Sequence, residues 1–159
     1  HVFGDVKVSG ASEVEENWEQ LKTKEDNGYK PVLSGVPSSL PAMIKANRIQ
    51  EKVRGVGFDW EDREQIWDKV IEEITELKKE ITGHDKEKIE SELGDVMFSL
   101  INAARLYEID PEAALEKTNR KFIKRFNYLE KETVTKGKSL RDMSLDEMNV
   151  IWEKAKKGD

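Results

Sequence analysis

The stretch from Leu93 to Leu106 constrains this chain most, because it is apolar almost all round at helical spacing and still carries a carboxylate, Asp95. A helix with apolar residues on every side is normally buried. One narrow polar stripe interrupts it, stepping by three or four residues through Glu92, Asp95, Ser99 and Asn102. Carboxylates on a mostly buried helix must be paired, protonated or bound to metal. The pattern therefore predicts a helical fold with an acidic site.

A second helical stretch, from Lys69 to Lys78, carries acids at similar spacing. Glu73 and Glu76 lie three positions apart, and Glu72 lies one turn before Glu76. The turn Gly83-His84-Asp85 between the two stretches allows the helices to fold back antiparallel, so that their acidic pairs face each other. Four carboxylates without a nearby histidine or cysteine favour Mg²⁺ or Mn²⁺ over zinc.

Composition narrows the class of protein. The 159 residues are enough for one domain with a buried core. A net charge of −6 argues against a general nucleic-acid binder, since such binding depends on basic patches. The chain has no cysteine, which excludes disulfides and thiol catalysis and is consistent with a cytoplasmic location. No apolar run approaches the roughly 20 residues of a membrane span, so we expect no membrane partner.

Capping and periodicity signals predict an all-α chain, and we find no credible strand. A Gly, Pro and Ser-rich linker is expected from Asp26 to Ser38. The turn Gly57-Phe-Asp-Trp60 has two aromatic side chains to bury. The predicted helices run from Ser12 to about Lys24, from Ser39-Leu-Pro41 to Gly55, from about Glu61 to Ile81, from about Lys86 to Glu108, from Asp110-Pro111 to about Glu132, and from Ser144-Leu145 to about Lys157.

Taken together, these residues resemble the MazG family of nucleoside triphosphate pyrophosphohydrolases. The acids in Glu72-Glu73-x-x-Glu76, followed by Glu92-x-x-Asp95, look like the metal motif of that family. Other stretches resemble the family in order and spacing: Glu92-Leu-Gly-Asp-Val-Met-Phe98, Lys117-Thr-Asn-Arg-Lys-Phe-Ile-Lys-Arg-Phe126, Trp152-x-x-x-Lys156, Ser39-Leu-Pro41 and Gly57-Phe-Asp-Trp60. The resemblance covers nearly the whole chain.

The resemblance also implies a domain organisation. Trp18-Glu-Gln-Leu-Lys22 and Trp152-Glu-Lys-Ala-Lys156 share a Trp-Glu-x-x-Lys pattern. We therefore expect residues 1–27 to be the last helix of a preceding MazG domain, 28–38 a linker, and 39–157 the second catalytic domain of a two-domain protein. The family fold is a helical bundle that forms tight homodimers, with each site completed across the interface.

The activity implied by the resemblance is Mg²⁺-dependent hydrolysis of nucleoside triphosphates to the monophosphate and pyrophosphate, with tolerance of many bases. The implied metal ligands are Glu73, Glu76, Glu92 and Asp95. The implied nucleotide and phosphate contacts are Lys88, Asn119, Lys121, Arg125, Trp152 and Lys156. We expect water to attack near the α-phosphorus, with Glu72 or Glu76 as proton acceptor, so that the catalytic acids are Glu72, Glu73 and Glu76.

Simpler interpretations stay open for several of these residues. Glu72 and Glu76 are also interpretable as solvated charges paired with Lys69 or Lys79. Lys121 and Arg125 fit the wet face of an amphipathic helix, Trp152 fits core packing, and Lys88 fits an exposed charge at a helix start.

Two other functions fit the same residues. One is a house-cleaning phosphatase specialised for dUTP, dCTP or damaged nucleotides. Another is a non-catalytic or regulatory dimerisation half of a two-domain protein. A dimetal carboxylate oxidase is excluded, because that class needs Glu-x-x-His pairs and neither histidine is placed in one.

Overall fold

The computed structural model describes residues 29–158, which form helices joined by turns and short 3-10 segments. The α-helices are α1 (Ala42–Arg54), α2 (Gln65–Gly83), α3 (Lys86–Leu106), α4 (Pro111–Thr133) and α5 (Leu145–Lys156). No strand occurs among the described residues, so the all-α prediction is confirmed. The helix predicted from Ser12 and the pattern around Trp18 lie outside them. Within residues 29–158, no helix has both the length and the apolar character needed to cross a bilayer.

The predicted helix bounds are correct within a few residues, and α2 differs most, beginning at Gln65 instead of Glu61. Side-chain hydrogen bonds at the preceding turn account for the difference. The Asp62 carboxylate accepts from the Glu64 backbone N–H at 3.0 Å, and the Gln65 side chain accepts from the Asp62 N–H at 3.4 Å. These reciprocal bonds turn the chain at Asp62, so the helix begins after this turn and not at Glu61.

The chain divides into two compact units at Pro111. The N-terminal unit, residues 29–111 of the described chain, contains α1, α2 and α3. The C-terminal unit, residues 112–158, contains α5 and nearly all of α4.

Helices α2 and α3 form an antiparallel hairpin in the N-terminal unit. His84 ends α2 in the left-handed conformation, with φ of 60°. Asp85 caps α3, and its carboxylate accepts from the N–H groups of Glu87 at 3.2 Å and Lys88 at 3.3 Å. At the open end, Trp67 Nε1 donates to the hydroxyl of Tyr107 at 3.0 Å. The short connection through His84 and Asp85 places the acids of α2 beside those of α3.

The core of the N-terminal unit lies where α1, α2 and α3 meet. Its buried apolar side chains come from all three helices and are Ala46, Ile66, Val70, Val96, Ile101 and Ala103. One buried polar side chain joins α1 to α3, since Gln50 Nε2 donates to the backbone oxygen of Phe98 at 2.9 Å.

Two burial expectations are wrong for the described chain. Helix α3 is not buried on every side, because Leu93, Met97 and Leu100 are 47%, 48% and 44% exposed. The neighbouring helices α1 and α2 cover only part of its circumference. Phe58 in the turn after α1 is 79% exposed, and Trp60 is 36% exposed, so this turn does not bury its aromatic rings.

The C-terminal unit places aromatic residues of α4 against α5. The Phe122 and Trp152 rings lie 5.1 Å apart between centroids. The predicted capping box opens α5: Glu147 N–H donates to Ser144 Oγ at 3.1 Å, and Ser144 N–H donates to Glu147 Oε2 at 3.0 Å. Leu129 and Ala155 are buried in this unit.

Candidate metal centre

Three carboxylates from two helices gather in the N-terminal unit. Glu73 comes from α2, whereas Glu92 and Asp95 come from α3, and one oxygen of each lies within 4.8 Å of the others. We call these three residues the acidic cluster. Glu73 is buried, Glu92 is half-buried and Asp95 is exposed. The prediction that acids of the two helices face each other is confirmed for these three.

Burial and repulsion between the carboxylates of the acidic cluster both affect the pKa of Glu92. Burial raises the pKa of its carboxyl, and the nearby charges of Glu76, Asp95, Glu73 and Glu80 raise it further. Its Oε2 atom is buried and has no hydrogen-bond partner within the described part of the chain. Repelling carboxylates with an unsatisfied oxygen are a donor set that a hard divalent cation would neutralise. The residues present therefore fit Mg²⁺ or Mn²⁺.

The remaining two predicted acids lie beside the cluster. Glu76 is exposed on α2, and its charge is the largest electrostatic contribution to the raised pKa of Glu92. Glu72 is also exposed, and its Oε1 accepts from Lys69 Nζ at 3.2 Å. The grouping of three acids omits both, so their roles stay predictions.

Lys69 is the basic residue bonded to the cluster, one helical turn before Glu73. Its Nζ donates to Glu73 Oε1 at 2.6 Å. Hydrogen bonds to Glu73 and then Glu72 raise the pKa of the Lys69 ammonium above its ordinary value. The sequence pattern indicated Lys69 only as a partner of Glu72 or Glu76, although its spacing from Glu73 also allows an i, i+4 pair.

The predicted nucleotide contacts mostly belong to the C-terminal unit. Lys121 is exposed on α4 and Arg125 is half-buried there. On α5, the Trp152 ring packs against Phe122, and Lys156 Nζ donates to Glu153 at 2.7 Å. Asn119 is likewise exposed on α4, and Lys88 is exposed at the start of α3 in the N-terminal unit. Their roles toward a nucleotide remain predictions.

A cavity of about 590 Å³ adjoins the acidic cluster inside the N-terminal unit. Glu73, Asp95 and Lys69 form part of its wall. The other residues that bear on its chemistry are Gln50, Phe58, Asp59, Trp60, Phe98, Asn102 and Arg105. The site residues predicted from the sequence did not include Gln50, Asp59 or Arg105. For Gln50 there was a signal, because it interrupts the apolar spacing Ala46, Ile49, Val53 of α1.

An ion pair fixes one side of this cavity. Arg105 donates to Asp59 through Nη1 at 3.1 Å and Nη2 at 2.5 Å, and its Nε donates to Asn102 Oδ1 at 3.0 Å. Burial acts to raise the pKa of Asp59, but hydrogen bonds from Arg105 and the Trp60 backbone, together with the charges of Arg105 and Arg54, outweigh it and hold that pKa below its ordinary value. The pair is a bidentate arrangement, which restricts the geometry of both side chains.

Comparison with known proteins identifies relatives of the whole chain. Residues 61–129 match the family described as the MazG nucleotide pyrophosphohydrolase domain. The chain is 39% identical, over all of its length, to the nucleoside triphosphate pyrophosphohydrolase/pyrophosphatase MazG of Thermotoga maritima, and covers 60% of that protein. It is 37% identical, over 99% of its length, to the nucleoside triphosphate pyrophosphohydrolase of Escherichia coli, and covers 61% of it. The uncharacterised protein YabN of Bacillus subtilis is 45% identical over 98% of this chain, which covers 32% of YabN.

Proposed function

Since the chain belongs to the MazG nucleotide pyrophosphohydrolase family, we propose that it hydrolyses nucleoside triphosphates to the monophosphate and pyrophosphate. Mg²⁺ is the proposed cofactor and Mn²⁺ its substitute. The acidic cluster of Glu73, Glu92 and Asp95 is the observation that carries the proposal. Tolerance of many bases and a role in house-cleaning or stress-related control of nucleotides belong to the same proposal. The chain spans about three fifths of the length of these two enzymes.

The acids have two different proposed roles, metal binding and proton acceptance. Glu73, Glu92 and Asp95 hold the cation, and Glu76, whose charge already acts on Glu92, completes the set. When bound there, Mg²⁺ supplies the positive charge that lets a triphosphate approach carboxylates, and it polarises a phosphoryl oxygen. Glu72 or Glu76 accepts the proton of the water that attacks the α-phosphorus.

The proposed basic contacts hold the leaving pyrophosphate. Lys121 and Arg125 suit this role, because guanidinium and ammonium groups neutralise phosphate oxygens and the Arg fork binds two of them at once. Lys88, Asn119 and Lys156 are the proposed supporting contacts, and Trp152 is the proposed contact to the nucleoside. Lys69 holds Glu73 in place through its 2.6 Å bond.

A homodimer is part of the proposed working state. Leu93, Met97 and Leu100 follow one another at spacings of four and three, so they form one stripe along α3. All three are close to half exposed in the single chain. A contiguous exposed apolar stripe supports association, because burying it removes apolar surface from water.

Pyrophosphate release with each common NTP and dNTP tests the proposal. We expect turnover with Mg²⁺, none with EDTA, and a fall of at least about a hundredfold in Glu73→Gln, since even loss of an outer partner of a metal ligand lowers activity by roughly 10–100-fold. Glu90→Gln is the matched control, because Glu90 is exposed on α3 outside the acidic cluster.

Unchanged turnover in Glu73→Gln would show that the metal does not bind at the acidic cluster. Absence of turnover with every nucleotide would instead favour the non-catalytic, regulatory alternative. A single accepted nucleotide, such as dUTP or dCTP, would favour the specialised house-cleaning enzyme.

A further inference from the structure

One buried hydrogen-bond acceptor in the cavity beside the acidic cluster lacks a donor. Gln50 is 3% exposed and lines the cavity. Its Nε2 donates to the Phe98 carbonyl at 2.9 Å, and this fixes the orientation of the amide, because a carbonyl only accepts. The other end of the amide, Oε1, is buried and has no partner among residues 29–158. An acceptor left this way calls for a donor from outside the protein.

Aromatic side chains line the same cavity as Gln50. Phe58, Trp60 and Phe98 all line the cavity. Phe58 is 79% exposed, Phe98 42% and Trp60 36%, so all three rings are accessible to a ligand. Aromatic rings of this kind stack on nucleobases without selecting the base, because every base has a π face.

The turn that carries two of these rings is held firmly. Asp59 lies between Phe58 and Trp60 in the chain and forms the bidentate pair with Arg105 of α3. Arg105 is in turn bonded to Asn102, one helical turn earlier. The turn therefore presents its aromatic residues from a fixed backbone position, which reduces the entropy lost when a ligand binds.

The cavity also has the size and connection that a nucleoside requires. Its volume of about 590 Å³ falls within the range of small-molecule sites. Glu73 and Asp95 of the acidic cluster line it together with Gln50. An occupant that reaches Gln50 thus lies next to the position proposed for the cation and phosphates.

We propose that this cavity is the base pocket, and that Gln50 Oε1 accepts a hydrogen bond from an N–H group of the base. The inference rests on the proposed function, since it assigns a subsite to the same substrate. Adenine, cytosine and guanine offer an exocyclic amino group, and uracil offers its ring N–H. A single acceptor therefore distinguishes bases that have an N–H donor from bases that lack one, but it does not distinguish one donor-bearing base from another. The pocket accepts all four and rejects a base with no donor.

The test compares ATP with purine riboside triphosphate, which has the same ring without the 6-amino group. We expect kcat/KM of the wild type to favour ATP by about tenfold or more, because the analogue leaves the buried acceptor unpaired. In Gln50→Met, a side chain of similar length without the acceptor, the ratio falls to near one. Both substrates are compared in one preparation, so partial unfolding of a variant cancels from the ratio.

Asn47→Met is the control, since Asn47 lies on α1 outside the cavity wall and bonds to Glu51 at 3.2 Å. Its ratio should equal that of the wild type. A wild-type ratio near one overturns the inference even if Gln50→Met does not fold. A wild-type ratio retained by Gln50→Met overturns it as well.

A second measurement separates this inference from the proposed function. Absence of turnover with both nucleotides contradicts the proposed hydrolysis. The pocket is then tested by calorimetric binding of adenosine and purine riboside, which carry no phosphates. Tighter binding of adenosine that disappears in Gln50→Met supports the pocket, and equal binding of the two nucleosides to the wild type refutes it.

Discussion

Glu73 and Glu92 of the acidic cluster have opposite electrostatic surroundings, because only Glu73 is paired with Lys69. Lys69 lies 2.6 Å from the buried Glu73 carboxylate and stabilises its charge. Glu92 has no such partner among the described residues, and its Oε2 is buried and unsatisfied. Burial and the surrounding acids raise its pKa. A basic partner thus stabilises the carboxylate on α2, Glu73. The carboxylate on α3, Glu92, is repelled by its neighbours, and a bound cation would relieve that repulsion.

This repulsion predicts a pH-dependent stability in the absence of metal. The folded pKa of Glu92 lies above its ordinary value of 4.5, so the unfolded chain ionises more readily and folding is opposed once the pH rises through that value. Glu92→Gln removes this penalty. In EDTA, we expect its thermal midpoint to exceed that of the wild type at neutral pH, and the gap to close below pH 4.5.

Thermal unfolding across pH, with Glu90→Gln as the control, measures this effect. Added Mg²⁺ should then raise the midpoint of the wild type more than that of Glu92→Gln, because binding to the folded state stabilises it. A gap that stays constant down to acid pH would show that packing, and not charge, separates the two proteins.

The hairpin of α2 and α3 is the element on which the acidic cluster depends. Its connection consists of His84 in the left-handed region, with φ of 60°, and Asp85 as the cap of α3. The cap satisfies two of the N–H groups that a helix start leaves without partners. Because the connection is this short, the register between the two helices follows from it.

The cap predicts a measurable loss of stability. Asp85→Ala removes the acceptor for the Glu87 and Lys88 N–H groups, and we expect the free energy of unfolding to fall by about 1 kcal/mol in urea titrations. Loss of the exposed Asp85–Lys88 ion pair, 3.8 Å long, adds little. Asp85→Asn is the matched control, since it retains a side-chain oxygen and should stay within a few tenths of a kcal/mol of the wild type. Equal losses in both variants would mean that the charge, and not the cap, stabilises α3.

The whole molecule consists of two compact units with different chemical character. The N-terminal unit carries the acidic cluster and its cavity. The C-terminal unit carries Lys121, Arg125 and Trp152. On α3 of the N-terminal unit, the stripe of Leu93, Met97 and Leu100 remains close to half exposed. The isolated chain thus presents apolar surface that a folded protein would be expected to cover.

A dimer in solution is the prediction at this scale. Met97→Lys places a charge in the middle of the stripe, so we expect it to shift light-scattering mass from dimer to monomer and to lower pyrophosphate release with it. Ser91→Lys is the control for added charge, because Ser91 is exposed on the same helix but off the stripe. A wild-type monomer that still hydrolyses nucleotides would contradict the proposed dimeric state.

The sequence alone determined the helices and the acids available to a site. Capping residues such as Ser144, and spacings such as that of Glu92 and Asp95, act over three or four positions, and local interactions of that range are encoded directly in the order of residues. The helix bounds and the placement of acids on one face of each helix were predictable for this reason.

Only the tertiary structure decided which distant residues meet. The sequence placed Glu76 in the cluster as firmly as Glu73, whereas the fold groups Glu73 with the two acids of α3. Arg105 meets Asp59 across 46 positions, and Gln50 meets Phe98 across 48. Such contacts depend on how helices pack in space, which no short-range pattern specifies. The acids were therefore readable from the sequence, and the cavity beside them was not.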